Sequence, residues 1–270
     1  MEGVSLQVAA GEFLGIVGKT GSGKTTLAQH FNGLLKPSAG NVYVEGRNLA
    51  DPGISWPEIR RRVGLVFQYP EHQLFAETVF EDIAFVLDQQ KSFSPEEIKE
   101  RVRHVCGMVG LDYDSFGQRS PFALSGGEMR RAALAGVLVQ DPPILILDEP
   151  TVGLDGPGKR EVLRQIGNLH RLGKTIVIVS HAVEDLAEQA DRLMMMEEGR
   201  IIASGEPREV FAQLVGMKKF NFLVPPVFHL CEDLRAAGWT LPDKVFQTEE
   251  ALSAIDRNLR AGHHPPEMEN

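Results

Sequence analysis

The sequence predicts an α/β fold built on a mostly parallel sheet. Three observations carry that prediction. Short apolar runs end in polar residues, stretches of helical periodicity separate those runs, and a glycine-rich loop joins the first run to the first helix. The runs are Phe13 to Val17, Val63 to Phe67, Ile144 to Leu147 and Ile176 to Val179. Each is short and bounded by turn or polar residues, as buried strands are.

The elements follow in order. Val4 to Val8 alternates apolar and polar residues and reads as an edge strand, turning at Gly11-Glu12 into the run that begins at Phe13. A loop over 18–23 leads into a helix running from Lys24 towards Gly33. Residues 41–48 alternate again and turn at Gly46, which adds an antiparallel β edge. Ser94-Pro95-Glu96-Glu97 is a helix start, with Ser94 as N-cap, Pro95 in the first helical position and Glu97 completing a capping box. Ile98, Val102, Val105, Cys106 and Val109 then form one apolar stripe. Another helix starts after Ser125. Residues 1–215 thus form the main domain, with a helical subdomain over about 69–140. Residues 216–270 form a small helical extension. Pro225-Pro226 opens one helix with Val227, Leu230, Cys231 and Leu234 on a face, and Thr248 opens a second with Leu252, Ile255 and Leu259 in line. The end, His263-His264-Pro265-Pro266, reads as a disordered tail.

Bulk properties narrow the function. The 270 residues are 43% hydrophobic and 24% charged, as in an ordinary globular protein. A net charge of −9 argues against a nucleic-acid binder, whose phosphate contacts need a basic face. Cys106 and Cys231 lack metal-ligand spacing and read as reduced thiols. Residues 1–17 lack the basic flank and apolar core of a signal peptide, and no run approaches the ~18 apolar residues of a membrane span, so any membrane role passes through a partner.

The chemistry lies in four places. Gly18-Lys19-Thr20-Gly21-Ser22-Gly23-Lys24-Thr25 matches G-x-x-x-x-G-K-[ST] in full, after a strand and at the start of a helix. Backbone N–H groups there curl around phosphate oxygens, Lys24 reaches the β- and γ-phosphates, and the Thr25 hydroxyl ligates Mg²⁺, with Thr26 beside it. Lys19 occupies a free position of the loop and reads as solvated. The run Ile144 to Leu147 delivers Asp148 towards the metal at its C-terminal end. Glu149, pointing to the other side of the strand, is free to polarise the attacking water. Gln68 and His181 end other strands, where an amide and an imidazole face the metal or the γ-phosphate. Finally, Leu124-Ser125-Gly126-Gly127-Glu128 presents an N-cap serine and exposed backbone N–H groups at a helix start. A second anion site in a chain with one P-loop serves either that P-loop, where the fold brings the two together, or a nucleotide held by a second chain.

LSGGE, then ILILDEP, Thr151 to Asp155 and Ser180-His181 resemble the ABC ATPase family. There the order is Walker A, Q-loop, signature, Walker B, D-loop and switch histidine, and all six occur here over residues 18–181. The resemblance implies ATP hydrolysis with Mg²⁺ in head-to-tail dimers, where Ser125, Gly126, Gly127 and Asp155 of one chain close over ATP held by the other. The signature usually ends in Gln, and Glu128 departs from that; the Ser and Gly backbone carries the phosphate contact, so the change is expected to be tolerated.

The segment Phe67 to Phe75, followed by Thr78 to Phe85, resembles the ATPases of energy-coupling factor transporters, which take up vitamins and transition-metal ions. Gly126 to Arg131 and the tail from Pro225 to Glu250 fit the same group, and the Glu71-His72-Gln73-Leu74-Phe75 run looks like the second of the two paired ATPases. That resemblance implies a second ATPase chain, a transmembrane coupling subunit, a substrate-binding membrane subunit and a peripheral position on the cytoplasmic face of the cell membrane. Tyr69, Phe75 and Phe80 are the expected surface for a membrane partner's helix. ABC ATPases also carry an adenine-stacking aromatic before the Val4–Val8 strand, for which this sequence offers no candidate, so a missing first strand is expected. A repair or chromosome ATPase would need a long coiled-coil insertion between Lys24 and Arg131, and a translation-type protein would carry two P-loops. Neither feature is present.

Overall fold

The computed structural model describes residues 1–260 except Lys244 and Gln247. The strands are β1 (Phe13–Val17), β2 (Tyr43–Val44), β3 (Arg47–Asn48), β4 (Val63–Val66), β5 (Ile144–Asp148), β6 (Thr175–Ser180), β7 (Arg192–Glu197) and β8 (Arg200–Gly205). The helices are α1 (Lys24–Phe31), α2 (Trp56–Arg62), α3 (Val79–Gln90), α4 (Pro95–Met108), α5 (Tyr113–Phe116), α6 (Gly126–Leu138), α7 (Gly156–Arg171), α8 (Val183–Ala187), α9 (Pro207–Val215), α10 (Pro226–Ala236) and α11 (Thr248–Arg260). They fall into two compact units, one holding residues 7–12 and 24–179, the other residues 1–6, 13–23 and the chain from Ser180 onwards.

In the first unit β4, β5 and β6 are parallel, with Val63 beside Ile144 and Ile144 beside Thr175. Their apolar runs are buried almost throughout, as strands covered on both faces must be. The hairpin β2–β3 turns through Glu45 and Gly46, both at positive φ, the geometry of a two-residue primed turn. Salt bridges Arg62–Glu45 and Arg47–Glu58 tie that hairpin to α2.

Helices α3, α4 and α6 pack on one another. Each opens on a complete capping box: Thr78 with Glu81, Ser94 with Glu97, and Ser125 with Glu128. The stripe expected on α4 is buried in full, from Ile98 to Val109, and Cys106 lies within it. Burial pushes the Cys106 thiol up to about 11, so it behaves as a small apolar side chain.

In the second unit β1 pairs in parallel with β7, and β7 pairs antiparallel with β8 across a turn at Glu198-Gly199. Phe211 meets Phe228 and Phe246 edge-on at 5.4 Å each, and those two rings stack at 6.5 Å. Cys231, Trp239, Leu241, Val245, Ala251 and Ala254 form the core of the extension.

Several expectations change. Val4, Leu6 and Val8 are half-buried in alternation, yet no ladder forms there among the described residues, because no strand pairs with them. β4 stops at Val66, so Phe67 and Gln68 lie past its end. On α10 Val227, Cys231 and Leu234 of the expected face meet the core, Phe228 is buried as well, and Leu230 faces out. On α11 the face is rotated: Ala251, Ala254 and Asn258 are buried and Ile255 packs partly against the core, while Leu252 is 60% exposed and Leu259 faces out. The small alanines allow close approach, and Asn258 exchanges hydrogen bonds with the Thr240 backbone, which fixes that face inward. The residues after 260 lie outside the described part, so the expected disordered tail falls there.

Candidate functional site

The loop Gly18–Gly23 follows directly on β1. A Cβ on Gly18 would stand 2.2 Å from the Met196 carbonyl oxygen and 2.8 Å from Ser22 Oγ, so only glycine fits. The Ser22 N–H donates to Lys19 O at 3.1 Å, and Gly199 N–H donates to Ser22 O at 3.0 Å. The loop is thus held by the β7–β8 turn. The Ser22 hydroxyl is buried without a hydrogen-bond partner among the described residues. Lys19, Thr20 and Gly21 are exposed along the same loop.

In the other unit, the start of α1 and the end of β5 bring Lys24, Thr25, Asp148 and Glu149 together. Lys24, Asp148 and Glu149 are all buried, while Thr25 and Thr26 are exposed. Burial pushes the Lys24 ammonium below its ordinary value, and the nearby Glu149 and Asp148 charges oppose that fall. Burial raises the Asp148 carboxyl, the Thr25 hydroxyl donating to it lowers it, Glu149 raises it and Lys24 lowers it. One Asp148 oxygen, Oδ1, is buried with no hydrogen-bond partner. A carboxylate oxygen left bare beside a threonine hydroxyl is a hard-oxygen pair, and it fits a small divalent cation such as Mg²⁺.

Glu149 does not continue the strand. Its φ is +52°, in the left-handed region, and its N–H donates to Val179 O at 2.8 Å. The two adjacent carboxylates are therefore separated by a backbone turn rather than by strand alternation, and Glu149 heads the loop that leads to Asp155. Residues held at positive φ without being glycine store strain and cluster at functional sites. Gln68 is half-buried two residues beyond β4, whose Val66 lies beside Leu147. The amide leaves the sheet at the level where Glu149 leaves β5.

Ser125 and Gly126 are exposed at the start of α6. The Ser125 hydroxyl accepts from Glu128 N–H, and Glu128 Oε2 accepts from both the Ser125 N–H at 2.7 Å and its hydroxyl at 2.8 Å. These bonds hold the Glu128 carboxyl below the usual range. Gly126 and Gly127 have ordinary helical geometry; a Cβ on Gly126 would meet nothing within 4 Å, and one on Gly127 only Arg131 Nη1 at 3.7 Å. Asp155 caps α7 by accepting from Gly158 N–H at 2.9 Å. His181, past the end of β6, is exposed in the unit that holds the glycine loop.

Of the expected partner-facing aromatics, Tyr69 and Phe75 are exposed. Phe85 joins them, edge-on to Phe75 at 4.9 Å. Phe80 instead packs against Tyr113 at 6.3 Å. The motifs gave no task to Arg130, a buried side chain on α6 whose Nη1 donates to Pro150 O at 3.3 Å and to Val152 O. Its only sequence signal was a charge among Ala132, Ala133 and Leu134 on a buried helix.

A family profile described as ABC transporter matches residues 1–152. The energy-coupling factor transporter ATP-binding protein EcfA2 of Symbiobacterium thermophilum is 48% identical over 262 residues, covering 97% of this chain and 90% of that one. Its namesake from Caldanaerobacter subterraneus subsp. tengcongensis is 47% identical over 261 residues, covering 96% and 91%. Among solved structures, cbiO1 from Clostridium perfringens, part of the ABC transporter complex cbiONQ, superposes with a TM-score of 0.72 at 36% identity, covering 85% of this chain and 91% of that one. A dimeric post-hydrolysis ATP-binding cassette, MJ0796 bound to ADP and Pi, gives 0.67 at 28% identity, covering 75% and 88%. The chain belongs to the ABC transporter family and, within it, to the energy-coupling factor transporter ATP-binding proteins: it binds and hydrolyses ATP.

Proposed function

We propose that this chain is the motor half of an uptake transporter for a vitamin or a transition-metal ion, and that it hydrolyses ATP in a two-chain sandwich. Residues Gly18 to Gly23 and the start of α1, with Lys24, Thr25 and Thr26, cradle the phosphates of the chain's own ATP. Lys24 neutralises the β- and γ-phosphates. Thr25, Asp148 and Gln68 hold Mg²⁺, and the bare Asp148 oxygen supports that assignment. When bound, the ion supplies charge neutralisation for the transferred phosphoryl group. Glu149 orients and polarises the attacking water, and His181 faces the γ-phosphate.

Ser125, Gly126, Gly127 and Asp155 act on the ATP of the second chain. The observation that carries this reading is the build of the signature turn. Among the described residues a Cβ on Gly126 would meet nothing within 4 Å, so no contact within the chain fills that place. An exposed serine cap and exposed N–H groups at a helix start suit the approach of an anion from outside.

The exposed Tyr69, Phe75 and Phe85 receive a helix of a transmembrane coupling subunit, and a separate membrane subunit binds the substrate. A peripheral position on the cytoplasmic face follows the energy-coupling factor relatives; no helix among the described residues is long and apolar enough to cross a membrane. Residues 216–270 serve as an extension that joins two ATPase chains, and the exposed Leu252 and Leu259 of α11 suit that contact.

The test mixes altered chains. S125A and K24A, each inactive alone, are combined so that a mixed dimer retains one intact site. Random pairing puts half the chains in mixed dimers, so turnover should return to about a quarter of wild type. Where the pairing chain differs, the signature alteration is placed in that chain. Turnover that stays at background in every mixture rejects the shared site.

A further inference from the structure

We infer that Arg130 is a positioning residue that fixes the loop bearing Glu149 to the signature helix. The inference rests on the proposed role of Glu149. Arg130 lies on α6, five residues after Ser125, and is 7% exposed. A buried guanidinium is costly unless its donors are used. Its Nη1 serves two backbone carbonyls, Pro150 O at 3.3 Å and Val152 O, in the segment directly after Glu149.

That segment needs an external hold. Glu149 is at φ +52° and Gly153 at φ +76°, so the chain there is in no regular element. Its internal bonds are long: Val152 N–H to Glu149 O at 3.2 Å and Leu154 N–H to Thr151 O at 3.3 Å. A cavity of about 10 Å³ lies where Pro150 meets Arg130, Arg131 and Leu134 of α6. The guanidinium pins two carbonyls on either side of Thr151. The same helix that offers Ser125 to the second nucleotide thereby sets where Glu149 stands over the first.

Two conservative changes separate this from a role in stability. R130M keeps the length and bulk of the side chain and removes the donors; R130K restores a charged donor. In the assembled, ATP-hydrolysing preparation, R130M should lower kcat about ten- to a hundredfold, the range expected for losing charged hydrogen bonds, with KM for ATP within about twofold. R130K should recover most of the loss. Hydrogen exchange on the full chain should speed up at the Val152 and Leu154 amides in R130M and stay unchanged along α6.

E149Q is measured alongside and should lose about 10²- to 10⁴-fold in turnover while keeping ATP binding. Normal turnover in E149Q overturns the role of Glu149 and the proposal with it. An inactive E149Q beside a fully active R130M with unchanged exchange overturns the proposal alone. If R130M does not fold, R130K decides: wild-type kcat and wild-type exchange at Val152 support the pin, and a fall in kcat matched by a rise in KM and faster exchange throughout α6 overturns it.

Discussion

At the loop Gly18–Gly23 glycine is demanded from within. A Cβ on Gly18 would press on the Met196 carbonyl at 2.2 Å, and the loop is bonded to the β7–β8 turn through Ser22 and Gly199. At the turn before α6 the demand comes from without. Gly126 sits in ordinary helical geometry with open space where a side chain would go. Both are glycine-bearing starts of helices whose N–H groups attract anions. The first is shaped by its own chain around its own ligand. The second is an open surface, proposed above to meet a nucleotide held by another chain. Counting glycines would rate the two alike, and only the space around each distinguishes them.

The contrast breaks first at Gly18. G18A should cost roughly 2–4 kcal/mol in unfolding free energy, from overpacking against backbone that cannot move aside, and should abolish ATP binding. Urea denaturation and nucleotide titration measure both; wild-type values for either would mean that the loop has slack.

G126A is the sharpest discriminator, because its two effects have opposite signs. It should stabilise the isolated chain by about 0.4–1 kcal/mol through a less flexible unfolded state. In the assembled dimer, the proposed role of Gly126 requires turnover to fall at least about tenfold, because a methyl group would then enter the space where the second nucleotide is proposed to lie. A loss of stability without a loss of turnover would reverse the comparison.

The smallest effect belongs to E128Q. Glutamine keeps the box with Ser125 and forfeits only a charge at the helix start, so the cost should stay below about 1 kcal/mol. The Glu128 carboxyl is held below its ordinary value of 4.5 by its bonds to Ser125. A depressed carboxylate stabilises the fold only while ionised. The difference between wild type and E128Q should thus be complete above pH 4.5 and vanish as the pH falls through the depressed value. Thermal melts across that window measure it.

Much of the site was legible because its chemistry requires fixed residue types at fixed spacing. Lys24, Thr25, Asp148 and Glu149 could be named from the sequence, and the structure brings them together. The α4 helix was equally readable, since both its cap and its stripe are local. What escaped depends on partners distant in the chain. β7 is a run of Leu193 and three methionines, residues without strong strand preference, and its pairing with β1 and β8 makes it a strand. The stripe on α11 was correct as periodicity and in part as orientation: Ile255 packs on the core, but Asn258 bonding to Thr240 turns the small face inward and leaves Leu252 and Leu259 outside. Val4 to Val8 kept its alternation and found no strand to pair with. The left-handed turn at Glu149 has no sequence signature at all.

The capping boxes at Thr78, Ser94 and Ser125 join residues only three apart. Every helix of the packed set α3, α4 and α6 therefore carries its own start signal, and the segment closes on itself through short loops. β4 and β5, by contrast, must meet across that entire segment. Short-range contacts form sooner and cost less closure entropy than long-range pairing. During synthesis the helical segment should thus take shape early, and the two strands flanking it are then drawn together by a folded insert rather than by a loose chain.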